Sequence, residues 1–330
     1  MRAQSAKKTV STSIALLAGI TLAATGCSAD DTKDAGGGGK RSIVYVQGMA
    51  GNPFFTSLTC GARGEAESAG FKFDAQGGKD YSPQSQTPIL NAVIAQKPDV
   101  IIVSPMAGEA MVPPLTKAKA RGIKIVFVDS KADDESLAVS TIASDNYAGG
   151  MLAAQTLAAQ VADKGKVMVM GAKPGISTTD ARQKGFEDEM KKHPGVKLLD
   201  TQYSGSEPAG ATSKFSAVLA ANSDLGGVFA VSTQEVEGVA TGVRNAGATG
   251  RIKVVGFDTS EPILDDVRKD VVQALVVQQP LDMGKQAVQQ AAAALDGKPT
   301  TKKIDTGYVV LTKDNMTQPE IAKYVYKTSC

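Results

Sequence analysis

The chain has 330 residues, 42% of them hydrophobic, with 36 Lys and Arg against 34 Asp and Glu and a formal charge of +2. This balance, with no basic block interleaved with aromatics, argues against nucleic acid as a partner, and no apolar run after the N-terminus approaches the roughly 18 residues of a membrane span. One histidine and three cysteines supply no paired ligands at metal spacing, so no metal and no other cofactor is expected.

Arg2, Lys7 and Lys8 form a basic opening, residues 14–24 an apolar stretch, and Ala24-Thr25-Gly26-Cys27 a small-residue site ending in cysteine. Residues 1–27 resemble a lipoprotein signal peptide in which Cys27 is lipidated and becomes the mature N-terminus, anchoring the protein on the outer face of the cytoplasmic membrane. Ala24 stands where a bulky aliphatic residue is usual, so cleavage without lipidation is the alternative. Residues 28–41, with Gly36-Gly37-Gly38-Gly39, read as a flexible tether. Gly39-Lys40-Arg41 lacks the Ser or Thr that a phosphate loop needs after its lysine.

From residue 42 the chain is long enough for two domains. Apolar, β-branched runs at 43–46, 71–75, 100–104 and 123–129 predict strands. Between them lie segments with helical spacing, such as Leu90, Val93 and Ile94. The alternation repeats at 167–171, 196–199, 228–231, 254–257 and 274–277, with a break near 144–147. Near-continuous apolar strands alternating with amphipathic helices imply parallel sheets covered on both faces. The fold class is therefore α/β, as two doubly wound lobes with a cleft between them, a favoured ligand site.

In such sheets ligands bind beyond the carboxyl ends of strands. Asn52-Pro53-Phe54-Phe55 follows the first strand, so Asn52, Phe54 and Phe55 sit where a small molecule would be held, with rings for the C–H face of a sugar and an amide for its hydroxyls. The plainer reading is that Pro53 starts a helix and the rings are core. Asp129 and Asp258 both follow apolar strand residues and should enter the cleft from opposite lobes, each accepting hydroxyl hydrogen bonds; helix capping is the competing role. Gln278 offers a donor and an acceptor where the lobes join, and Phe257 is either a wall or core.

Asn52-Pro53-Phe54-Phe55, Phe127-Val128-Asp129, Ile142-Ala143-Ser144-Asp145-Asn146, Gly256-Phe257-Asp258 and Val277-Gln278-Gln279-Pro280, in this order, resemble segments of periplasmic sugar-binding proteins of the ribose and galactose type, the ligand-capturing subunits of ABC importers. The resemblance runs over residues 42–312. It implies the type I periplasmic binding protein fold with a three-segment hinge crossing near Ser144, near Gln278 and Gln279, and near Asp305. The N-terminal lobe would hold 42–144 and 279–304, the C-terminal lobe 145–278 and 305–312, and 313–330 would form a tail. A monomer would capture a monosaccharide or sugar alcohol by hinge closure and deliver it to a permease driven by a cytoplasmic ATPase.

The resemblance also implies ligand contacts from the helix start Thr178-Thr179-Asp180-Ala181-Arg182, where Arg182 would donate to sugar oxygens and Asp180 would hold Arg182 or accept from the sugar. Ser130 replaces an arginine frequent in ribose binders, and Ser232 opens a segment that lacks the usual Asn-Asp pair. D-ribose is therefore not the expected ligand.

Three alternatives remain at this stage. Cys60 and Cys330 are left as an even pair in an oxidising compartment if Cys27 carries lipid, which calls for a disulfide; two unpaired thiols are the other outcome. A lipid-anchored sensor of a nucleoside or furanone signal would use the same fold. A glycoside hydrolase needs only two carboxylates, but the lone His193 lies at a probable helix end, and neither a nucleophile elbow nor a dinucleotide glycine fingerprint occurs.

Overall fold

The computed structural model describes residues 40–330; Cys27, the signal segment and residues 28–39 of the tether lie outside the described residues. The first lobe is built in chain order from β1 (Ser42–Gln47), α1 (Pro53–Ser68), β2 (Lys72–Gly77), α2 (Pro83–Gln96), β3 (Val100–Val103), α3 (Val112–Ala120), β4 (Lys124–Val128) and β5 (Ser140–Ser144). The second follows as α4 (Asn146–Gln160), β6 (Gly165–Gly171), α5 (Ser177–Met190), β7 (Val196–Leu198), β8 (Gln202–Tyr203), α6 (Pro208–Ala221), β9 (Leu225–Ala230), α7 (Thr233–Asn245), β10 (Lys253–Phe257), α8 (Glu261–Arg268) and β11 (Ala274–Val277). The chain then returns to the first lobe with α9 (Pro280–Leu295) and β12 (Lys303–Thr306), and ends with β13 (Val309–Thr312) and the short α10 (Pro319–Ala322).

One sheet has the order β12-β5-β4-β3-β1-β2; the other runs β13-β11-β10-β9-β6-β7, with β8 also paired to β6. Central strands such as β3 are buried at every position, whereas the edge strand β2 exposes Lys72 and Asp74. Polar residues on an edge discourage pairing with another chain. Side chains cap several helices at the cleft end: Asn52 on α1, Asp145 on α4 and Ser260 on α8. Each accepts from a first-turn N–H that would otherwise lack a partner.

Two expectations need correction. The segment 305–312 does not belong wholly to the second lobe, because Asp305 and Thr306 pair with Ala143 and Ser144 in the first sheet. The third crossing accordingly falls at Gly307 and Tyr308, just beyond Asp305. The second sheet is also not wholly parallel: β13 pairs antiparallel with β11, since a chain entering from the other lobe meets that edge from its carboxyl end.

Each lobe contains a helix pair locked at backbone distance by a glycine from each helix. A Cβ at Gly61 of α1 would lie 2.0 Å from the Leu281 carbonyl of α9, and one at Gly284 would lie 2.1 Å from that of Leu58. In the second lobe a Cβ at Gly150 of α4 would lie 2.0 Å from the Arg182 carbonyl of α5, and one at Gly185 would lie 2.0 Å from that of Tyr147. No side chain fits at any of these four positions without separating the helices.

Candidate functional site

Asp129 and Asp258 occupy equivalent places, each one residue beyond a strand, β4 and β10. Their φ angles are 69° and 73°, in the left-handed region that a non-glycine residue rarely visits and that aspartate tolerates better than most. The backbone N–H of Asp129 donates to Ile142 O at 2.8 Å and that of Asp258 to Val276 O at 2.9 Å. Each lobe thus ends a central strand in the same kink. Strain of this kind is retained where surrounding structure fixes it, often at ligand sites.

Both carboxylates line one cavity between the lobes, together with Phe54, Arg182, Ser232 and Gln278. The lobes also meet directly: Asn52 Nδ2 donates to Thr233 Oγ1 at 3.4 Å, and Gln234 Nε2 lies 3.8 Å from Met49 Sδ. Arg182 is the most heavily engaged residue of the group. Its Nε donates to Asn146 Oδ1 at 2.8 Å, its Nη1 to Val231 O at 2.9 Å and to Asp258 Oδ2 at 3.5 Å, and its guanidinium stacks 3.7 Å over the Phe257 ring.

Burial pushes the Asp129 carboxyl up to about 7, against the pull of Arg182 and with a further push from Asp258. Gln278 Nε2 donates to Asp258 Oδ1 at 2.8 Å, but Gln278 Oε1 is buried without a partner, as is Ser206 Oγ, which also lines the cavity. A buried polar atom left unpaired costs roughly 1 to 3 kcal/mol. The carboxylates, guanidinium and amide gathered on this lining suit a ligand that carries several hydroxyls. Phe54, Met106 and Ile176 add apolar surface to the wall.

Several expected residues do not line this cavity. Phe55 is fully buried in the core and packs near Tyr81, ring centroids 5.9 Å apart; a helix turns about 100° per residue, so Phe54 and Phe55 cannot share a face. Asn52 caps α1, accepting from Phe54 N at 2.9 Å, and reaches the other lobe through Thr233. Asp180 is exposed and accepts from Gly175 N at 2.8 Å, because it stands two residues before Arg182 and so nearly opposite it on α5. Ser130 lines a neighbouring depression beside Asn146. Phe257 backs Arg182 from the core. Ser232 does line the cavity, but its hydroxyl donates to Glu235.

The periplasmic binding protein domain matches residues 43–299. The chain belongs to this family. A solved structure similar to this binding protein is an ABC transporter solute-binding protein from Agrobacterium vitis bound with α-D-tagatopyranose: it is 39% identical with a TM-score of 0.86, covering 87% of this chain and 100% of that one. The D-apiose import binding protein of Actinobacillus succinogenes is 27% identical over 76% of this chain and 80% of its own length. The D-ribose/D-allose-binding protein of Pseudomonas aeruginosa is 30% identical over 69% and 75%. This periplasmic binding protein is an extracytoplasmic sugar-binding protein of the ribose and galactose type. It is the binding subunit of an ABC importer and a transport protein, not an enzyme, which removes the hydrolase alternative.

Sequence reasoning missed Tyr81, Met106, Ala172, Ile176, Ser206 and Gln234 as lining residues of the binding protein. Tyr81, Met106 and Ile176 follow β2, β3 and β6, so the rule that found Asp129 and Asp258 would reach them if applied to every strand. Ser206 lies in a loop after the two-residue β8, which gives no periodic signal.

Proposed function

We propose that this binding protein captures a monosaccharide in pyranose form, a ketohexose or an aldose other than ribose, by closing its lobes at the hinge, and that lipid on Cys27 holds it at the membrane. The observation that carries the reading is the convergence of Asp129, Asp258, Arg182 and Gln278 on one space walled by Phe54. Carboxylates accept from adjacent hydroxyls while a guanidinium donates to ring or hydroxyl oxygens, and charge-assisted bonds are worth about 1.5 to 3 kcal/mol each. The tagatopyranose bound by the similar Agrobacterium vitis protein supports a ring hexose.

D-ribose is disfavoured because the two serines offer little in place of the larger groups of ribose binders: Ser130 lies outside the cavity lining and the Ser232 hydroxyl is committed to Glu235. A thermal-shift screen of D-tagatose, D-fructose, D-galactose, D-allose, D-arabinose, sorbitol and D-ribose, followed by calorimetry, tests this, since a ligand that binds only folded protein raises the melting temperature. One of the other sugars is expected to bind at least tenfold more tightly than D-ribose. D-ribose as the tightest ligand would overturn the specificity, and no shift with any sugar would overturn the ligand class.

The anchor rests on the small-residue site ending at Cys27. Expressed in a bacterium with lipoprotein processing, the full chain is expected in the membrane fraction and Cys27→Ala in the soluble one or unprocessed. Wild-type protein released quantitatively into the soluble fraction would refute it.

A further inference from the structure

The chain does not stop on the second lobe after β13. Residues 313–330 run back over the hinge, with Ile321, Tyr324 and Val325 half-buried against the core. Tyr326 is 4% exposed, and its ring meets Phe54 edge-on with centroids 5.6 Å apart. Its N–H donates to Thr259 Oγ1 at 3.1 Å, its hydroxyl accepts from Gln278 N at 3.1 Å, and the same hydroxyl donates to Asp258 Oδ1 at 2.6 Å. One residue on, Lys327 N donates to Ser57 Oγ of α1 at 2.6 Å, and Cys330 is joined by a disulfide to Cys60 of the same helix, Cα atoms 5.3 Å apart. The tail therefore makes a fourth passage between the lobes and is covalently closed onto α1, the helix that carries Phe54.

Asp258 Oδ1 receives two donors from this side, the Tyr326 hydroxyl and Gln278 Nε2. Together they fix the rotation of the carboxylate and leave Oδ2 toward Arg182 and the cavity. Burial and the adjacent Asp258 carboxylate push the Tyr326 hydroxyl well above its ordinary range, so it stays a donor at any pH the protein meets. The tail's other attachments are a few hydrogen bonds and half-buried side chains, and terminal segments fray unless tied down.

We infer that the C-terminal tail is a working part of the sugar site: Tyr326 is a positioning residue that orients Asp258 toward the ligand, and the Cys60–Cys330 disulfide keeps it in place. This rests on the sugar-binding reading above. The recognised ligand class is unchanged, but affinity becomes sensitive to the redox state of a bond outside the cavity lining.

Calorimetric titration of the mature protein with the sugar giving the largest shift in the panel tests the inference. Tyr326→Phe keeps the ring on Phe54 and removes only the hydroxyl; it is expected to weaken binding tenfold or more while the ligand-free melting temperature moves little. In an Asp258→Asn background the same change is expected to cost less than threefold, because a residue acting through Asp258 has nothing left to orient. Cys330→Ser and dithiothreitol-treated wild type are expected to weaken binding alike, with no further effect of dithiothreitol on Cys330→Ser.

Wild-type affinity in Tyr326→Phe, or the full tenfold loss persisting in the Asp258→Asn background, overturns the positioning role. Wild-type affinity in folded Cys330→Ser overturns the role of the disulfide. A wild type that binds none of the sugars would instead sink the functional reading, and this inference with it, whereas a wild type that binds leaves the variants to decide the tail alone.

Discussion

Arg182→Ala is expected to lower sugar affinity at least a hundredfold and to cost the ligand-free protein about 3 to 5 kcal/mol. Arg182 is 3% exposed, and its guanidinium joins Asn146 of α4, the carbonyl of Val231, the Asp258 carboxylate and the face of Phe257. Truncation would leave Asp129 and Asp258 as buried carboxylates without their shared cation, besides opening a void on Phe257. It would also remove the donor proposed for the ligand, worth about 1.5 to 3 kcal/mol. Arg182→Lys is expected to rescue little, since an ammonium cannot serve the same fork of acceptors or stack flat on a ring. Calorimetry and urea unfolding read the two effects separately. Affinity within tenfold of wild type would take Arg182 out of the binding site, and unchanged unfolding would deny it the structural role.

Sugar affinity is expected to rise about tenfold between about pH 6 and about pH 8 and then level off, through Asp129. Burial raises this carboxyl to about 7, so below that pH the ligand-free protein holds it protonated. Hydroxyl donors favour the ionised form, and binding must then release the proton, which costs up to a factor of ten in affinity per pH unit.

The stability of the ligand-free protein runs the other way. Between about pH 4 and about pH 7 the folded chain keeps a proton that the unfolded chain has lost, so this contribution is full below the unfolded value and disappears as pH rises through the folded one. Asp129→Asn removes both slopes and is expected to weaken binding at least tenfold at about pH 8. Glu235 is also raised by burial, but its carboxylate is hydrogen-bonded by Ser204 and Ser232, so the substitution separates the two groups. Wild-type affinity that stays flat from about pH 5.5 to about pH 8 would rule out titration of Asp129 as the linked event.

The lobes were legible because buried parallel strands leave a plain mark: β3, β4 and β11 are apolar runs bounded by helical spacing. β12 was not, since Lys303 and Asp305 alternate with inward residues on a sheet edge and leave no apolar run. At the site, the strand-end rule located Asp129 and Asp258, and the helix start after β6 located Arg182. The same reading took Phe55 with Phe54, where the angular step of a helix separates them, and Asp180 with Arg182 for the same reason. Cysteine counting paired Cys60 with Cys330. Nothing local marked Tyr326, because its contact with Asp258 joins residues 68 apart in the chain and depends on the path of a tail with no repeating pattern.

Gly61, Gly284, Gly150 and Gly185 bear on how force travels through the molecule. α4 leaves the first crossing and grips α5, which carries Arg182; α9 leaves the second and grips α1, which carries Phe54. With backbone against backbone at both junctions there is no layer of side chains to yield, so in the proposed closure a rotation at the crossings would move each helix pair as one body. The two lobes would then work as the jaws of pliers whose handles are helices.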